Sequence, residues 1–188
     1  MNTPDNNPTA NTGIFSKRAA LLCLAAFLAW GFILVRKYIF FGYEDWDLAF
    51  FAQAMWNLRH GSQYVSLFDI NFFGNHSNLI ALICLPVYII FMHPLTLIFL
   101  KLLSFICAGY VLFLIAQPKI GETLSLLVLL LYLIYPPNIF GLLYEFDFES
   151  LAPIFLTLLN WQKHTERWVC ASRGKPMWFR PWSGRSRK

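Results

Sequence analysis

Residues 79–92 read Leu-Ile-Ala-Leu-Ile-Cys-Leu-Pro-Val-Tyr-Ile-Ile-Phe-Met, an uncharged apolar run that contains Pro86 and is closed by His93-Pro94. As a helix, fourteen residues cover only roughly 21 Å, less than the hydrocarbon thickness, so the run reads as re-entrant or interfacial rather than spanning. This reading decides the fold, because every later segment changes sides if the run crosses.

Around it lie longer apolar stretches. Ala19 to Val35 carries no charge, and Arg36 and Lys37 can snorkel at its end, giving a first span that runs to Phe41. A cleavable signal peptide is the rival reading, with Lys17-Arg18 as its basic region. Leu95 to Ala116, with the single charge Lys101, makes a second span that stops at Gln117-Pro118-Lys119. Leu124 to Tyr135 continues through Pro136-Pro137 towards Leu143 as a third, and Leu151 to Trp161 begins a fourth that Lys163, Glu166 and Arg167 cut short.

Composition agrees with a bilayer. The chain of 188 residues is 57% hydrophobic and only 13% charged, with a mean hydropathy of +0.51, more apolar surface than one small soluble core can hide. Cys23, Cys84, Cys107 and Cys170 are scattered and lack CxxC spacing, which argues against a disulfide framework or a thiolate metal site. The net charge of +5 resembles a nucleic-acid signal until it is mapped: six of the fifteen basic residues fall within 168–188, where no acid occurs. That tail reads as facing the cytoplasm or anionic lipid, with no nucleic-acid partner.

If 79–92 does not cross, Lys17-Arg18, Lys119, and Lys163 with Arg167 share one side, which the excess of basic residues marks as cytoplasmic. The acidic clusters Glu44-Asp45-Trp46-Asp47 and Glu145-Phe146-Asp147-Phe148-Glu149 then face outward together. Carboxylates at the edge of hydrocarbon are costly unless a watery cleft, a cation or a substrate compensates them, which marks them as candidate functional groups. Arg36, Lys37 and Arg59 run against this assignment.

Residues 42–93 form the longest polar-containing stretch. Within 46–60, Asp47, Gln53, Asn57 and His60 fall inside about 140° at 100° per residue, with Phe50, Phe51, Met55 and Leu58 mostly elsewhere. This predicts a helix lying in the membrane interface, a depth that suits Trp46, Trp56 and Tyr64. Gly61, Gly74 and residues 71–78 read as turns. The expected organisation is an all-α polytopic membrane protein: a disordered cytoplasmic leader at 1–18, a transmembrane domain at 19–167 with an external interfacial segment at 42–93, and a basic tail at 168–188.

The sequence from 43 to 161 resembles a family of predicted bacterial membrane proteins, domain of unknown function 2079, grouped with the C-type glycosyltransferase fold. The resemblance rests on the run from Asp47 to Asn57 (DLAFFAQAMWN), on His60-Gly61, on the run from Phe73 to Ser77 (FGNHS) and on Leu85-Pro86-Val87-Tyr88. It continues through residues 132–136, Phe146-Asp147-Phe148 and Leu151-Ala152-Pro153. It implies a glycosyltransferase-like enzyme of the bacterial inner membrane that takes a sugar from a polyprenyl-phosphate carrier and passes it to an external acceptor. The acceptor hydroxyl would lose its proton to a carboxylate, with Asp47 the first candidate and Asp45 the next. Cations must neutralise the departing lipid phosphate: Arg59, His60 and His76 are available, with Gln53 and Asn57 as further substrate contacts. Asp147 and Glu149 would complete the acidic site or hold a divalent ion, Mg or Mn, through oxygen ligands. Similar sequences carry a histidine shortly after the second Asp-Phe pair; here Glu149-Ser150 follows Phe148, so that role is not carried over.

Structural readings stand beside these. Asp45 and Asp47 also suit a helix N-terminus, as do Asp147 and Glu149 ahead of Leu151. His60 before Gly61 reads as a helix end, and His76 and His93 as structural residues at turns. No GxGxxG, Walker loop, HExxH or GxSxG occurs. The shift in composition after Trp161 reads as a departure from the family pattern, as after truncation, so an inactive fragment or a non-catalytic lipid-binding, transport or assembly subunit is the alternative.

Overall fold

The computed structural model describes residues 16–43, 46–75 and 79–172. They are mostly helical: α1 (Lys17–Ile39), α2 (Asp47–Arg59), a hairpin of β1 (Tyr64–Val65) and β2 (Ile70–Asn71), α3 (Phe72–Asn75), α4 (Ile80–Ile90), α5 (Pro94–Ile134), α6 (Pro136–Leu143) and α7 (Ala152–Ser172), the last preceded by a 3-10 turn at Glu149–Leu151. Among the described residues, α1 and α5 are long and apolar enough to cross a membrane.

The capping chemistry of α1 is simple. The Ser16 hydroxyl accepts from the Ala19 amide, and Arg36 and Lys37 occupy the last turn, where cations favour the carbonyl end of the helix dipole. Gly31 faces Leu102 and Phe99 of α5, where an added Cβ would make ordinary contact at 3.5 and 3.7 Å.

α5 starts where the sequence marks it. Pro94 takes the first position and the His93 ring accepts from the Leu95 amide. The expected stop at Gln117-Pro118-Lys119 is displaced: the helix continues through Pro118 and breaks at Gly121, whose φ of 80° and ψ of 170° are non-helical. Beyond the break the chain reverses. Phe105 stacks on Tyr132 with ring centroids 5.1 Å apart, whereas in a straight helix these residues would be roughly 40 Å apart. Gly109 makes the approach possible, since a Cβ there would stand 2.8 Å from the Tyr132 ring.

Two ends can therefore be defined by contacts. At one, the Ser16 hydroxyl, which opens α1, donates to Glu122 beside the Gly121 break at 2.7 Å. At the other, Lys37 near the close of α1 donates to the Leu143 carbonyl at the close of α6, also at 2.7 Å. Lys37 is thus half-buried and bonded within the fold.

α2 buries Leu48, Phe50, Phe51, Ala52, Ala54 and Met55, a wider apolar face than its amphipathic pattern suggested. α4, with eleven residues, is too short to span, and its Tyr88 hydroxyl donates to the Ala52 carbonyl of α2 at 3.2 Å. The turn expected over 71–78 is different in part: Asn71 pairs with Tyr64 in the hairpin and Phe72 opens α3. α7 also runs past Trp161, because no Pro or Gly interrupts residues 154–172.

Candidate functional site

The second acidic cluster lies on an irregular segment between α6 and the 3-10 turn, and alternate residues divide its work. Phe146 and Phe148 are buried and set their edges against Phe51 of α2, with centroids 5.8 and 5.1 Å away. Glu145, only 2% exposed, turns its carboxylate to α2 instead and accepts from the Leu48 amide at 3.0 Å. That bond satisfies one of the unpaired amides of the first helical turn and places a negative charge on the positive end of the helix dipole. It also joins the second acidic stretch to the start of α2, where Asp47 stands.

Two lysines serve the same segment. Lys101 lies roughly 10 Å along α5 from Pro94 and is 4% exposed. Its ammonium donates to the Tyr144 carbonyl at 3.0 Å and the Glu145 carbonyl at 2.8 Å, and Asp147, Lys37 and Glu145 all act on it electrostatically. Lys37, besides its bond to Leu143, sits 4.7 Å from the centre of the Tyr43 ring. The Tyr43 hydroxyl is buried without a hydrogen-bond partner among the described residues. Burial, and then the Glu145 charge, push its phenol up to about 12.

Beside Lys101 opens a cavity of about 330 Å³ whose walls include Phe105, Tyr132, Asn138, Asp147 and Glu149. The structure thus brings together Asp147 and Glu149, both expected from the sequence, and adds a buried ammonium. Asp147 also fixes the local turn: its carboxylate accepts from the Ser150 amide at 2.5 Å. Among the described residues no three His, Cys, Asp or Glu side chains gather in a metal-binding group. Asp147 and Glu149 are the two carboxylates on the cavity, and Lys101 is the cation beside them.

The other candidates lie along α2. Asp47 opens the helix, next to the amide that Glu145 holds, and it is not among the residues lining the Lys101 cavity. Gln53 donates to Ser66 and accepts from the Leu67 amide, and Asn57 donates to the Tyr64 carbonyl, so both hold the hairpin. The His60 ring bonds the Trp56 carbonyl at 2.8 Å, and Arg59 donates to the sulfur of Met92. Asp45 and His76 lie outside the described residues.

Lys37 and Lys101 were not among the sequence candidates, and Glu145 lay in the acidic cluster without an assigned role. For Lys101 a signal was present: a lone charge inside an apolar run is a functional candidate by default. For Lys37 no local signal announces its bond to the Leu143 carbonyl.

Comparison with known proteins adds one finding. A family described as predicted membrane protein (DUF2079) matches residues 36–172, a stretch that contains every residue of this cluster. No curated protein and no solved structure matches the chain.

Proposed function

That the chain belongs to the DUF2079 family of predicted membrane proteins is the premise from which we propose its function: transfer of a sugar from a polyprenyl-phosphate carrier to an acceptor at the outer face of the bacterial inner membrane. Its apolar helices sit in the lipid bilayer. In this proposal α1, both limbs of α5 and α7 cross, the N-terminus is cytoplasmic, and the Glu145 end is external. The glycosyltransferase-like fold belongs to the same proposal.

One observation carries the reading: the bond from the Leu48 amide to Glu145, which brings the first turn of α2, opened by Asp47, to the second acidic stretch beside Lys37 and Lys101. The chemistry needs this combination. An acceptor oxygen attacks the anomeric carbon, the bond from that carbon to the phosphate oxygen breaks, and the lipid phosphate leaves with the electron pair. Asp47 takes the acceptor proton as general base. The ammonium group of Lys37 stabilises the departing negative charge, an effect strengthened where water is scarce.

The test is transfer of labelled sugar from polyprenyl-phosphate hexoses by membranes containing the full chain. Asp47→Asn should lower transfer by about a hundredfold or more while membrane insertion is unchanged. Undiminished transfer in that variant would remove Asp47 as base.

A second reading has an observation of its own. Glu145 caps α2, Asp147 caps the 3-10 turn, and Lys101 serves two carbonyls, all of which a non-catalytic lipid-binding, transport or assembly subunit would also need. In that case Asp47→Asn and Glu149→Gln shift stability and leave no turnover to lose.

A further inference from the structure

The Lys101 cavity differs from the rest of the cluster in its charge. Two carboxylates, Asp147 and Glu149, and one ammonium line it, and two of the three N–H groups of that ammonium already donate to the Tyr144 and Glu145 carbonyls. Its walls therefore carry a net negative charge. A phosphate group entering it would face both carboxylates at short range, with one N–H in return.

The rest of the lining suits a different guest. Phe105 and Tyr132 present aromatic surface as a stacked pair, and Asn138, whose amide nitrogen donates to the Tyr132 carbonyl, adds a polar group to the lining. Carboxylates accept hydrogen bonds from hydroxyls, the remaining Lys101 N–H can donate to a hydroxyl or ring oxygen, and aromatic faces cover C–H surface. At about 30 Å³ per water, a volume of about 330 Å³ holds roughly eleven waters, which is room enough for a single hexopyranose, whose bonded atoms pack more tightly than as many waters.

We infer that this cavity receives a neutral sugar ring, held through its hydroxyls by Asp147, Glu149 and Lys101, and that the lipid phosphate binds outside it. The assignment rests on the transferase reading for its biological sense but on the cavity alone for its chemistry, so the two fail separately.

The test uses the full chain in phosphatidylcholine nanodiscs and saturation-transfer NMR with the methyl glycosides of glucose, mannose and galactose. Dimethyl phosphate serves as the phosphate-diester probe. At least one glycoside should receive saturation. Glu149→Gln, at an exposed position, should weaken its binding about tenfold, and Asn138→Ala should weaken it less. Dimethyl phosphate should neither receive saturation nor compete.

Silence from all three glycosides, equal binding by the Glu149→Gln variant, or competition by dimethyl phosphate would each overturn the assignment. Glycoside binding without any sugar transfer would leave the cavity assigned and sink the transferase reading. Transfer without glycoside binding would do the reverse.

Discussion

Replacing Glu145 tests whether the acidic segment truly holds α2 in place. Its carboxylate is 2% exposed and accepts from the Leu48 amide at 3.0 Å. Glu145→Gln keeps an acceptor oxygen but removes the charge, turning a charge-assisted bond of about 1.5–3 kcal/mol into a neutral one of about 0.5–1.5. The favourable charge at the helix N-terminus, about 0.3–1 kcal/mol, is lost as well. The sum is a weakening of roughly 1–2 kcal/mol. Glu145→Ala leaves the Leu48 N–H buried with no acceptor from residue 145, which adds the desolvation penalty and brings the total to roughly 2–4 kcal/mol. With about 1.4 kcal/mol per factor of ten, amide hydrogen exchange in the first turn of α2 should speed up about tenfold in the Gln variant and about a hundredfold in the Ala variant. Mass spectrometry of peptides spanning residues 46–52, with the chain in nanodiscs, reads this directly. Exchange as slow in both variants as in the original chain would refute the strut. Slower exchange in Glu145→Gln would show that desolvation of the carboxylate outweighs its bond, and the argument would be wrong in sign.

Three further outcomes follow from the same contacts. Lys101→Met strips a buried segment of its ammonium and should cost about 3–5 kcal/mol, read as thermal unfolding in detergent; a loss under about 1 kcal/mol would mean that water already satisfies the Tyr144 and Glu145 carbonyls. Tyr43→Phe removes a buried hydroxyl that has no partner among the described residues and should stabilise by about 1 kcal/mol. The folded Tyr43 phenol keeps its proton up to about 12 whereas the ordinary value is 10.0, so the original chain loses stability as pH climbs through that window, and an alkaline melting series on Tyr43→Phe should lack this part of the decline. Finally, single cysteines at Tyr43, Lys119 and Tyr144 should react with a membrane-impermeant thiol reagent outside intact cells at the first and last positions only; labelling at Lys119 would reverse or break the proposed crossing pattern.

The parts of the fold that follow from apolar length were legible in the sequence. The first span, the short run at 79–92 and the helical character of 47–59 are visible because a helix needs a set number of apolar residues to cross and a repeating stripe to lie flat. The chain reversal was legible, but its position was not. Pro118 looks like the stop, yet proline interrupts hydrogen bonding without forcing a turn, whereas Gly121 takes a φ of 80° that other residues avoid. The hairpin at 64–71 was out of reach: its strands have two residues each, too few for an alternation to show, and Asp69 turns at a φ of 55° where glycine would have advertised the bend. In the site, Asp147 and Glu149 stood out as acids amid hydrocarbon. The partner of Lys101 did not, because it is a pair of backbone carbonyls more than forty positions away.

Those carbonyls separate what the lysines must do from what they are free to do. Where α6 ends, the carbonyls of Leu143, Tyr144 and Glu145 reach no amide further along a helix, and irregular backbone near hydrocarbon survives only where donors are supplied. Lys37 serves the first and Lys101 the other two. A scaffold needs no more than that, and neutral donors would meet the need without bringing charge into an apolar setting. The cluster instead keeps two ammonium groups, places Asp147 and Glu149 on a cavity beside one of them, and commits Glu145 to α2, next to Asp47. Charge beyond what the backbone requires, concentrated on an open cavity, is costly unless a ligand of matching polarity shares it, and that surplus is the physical basis for reading the site as functional.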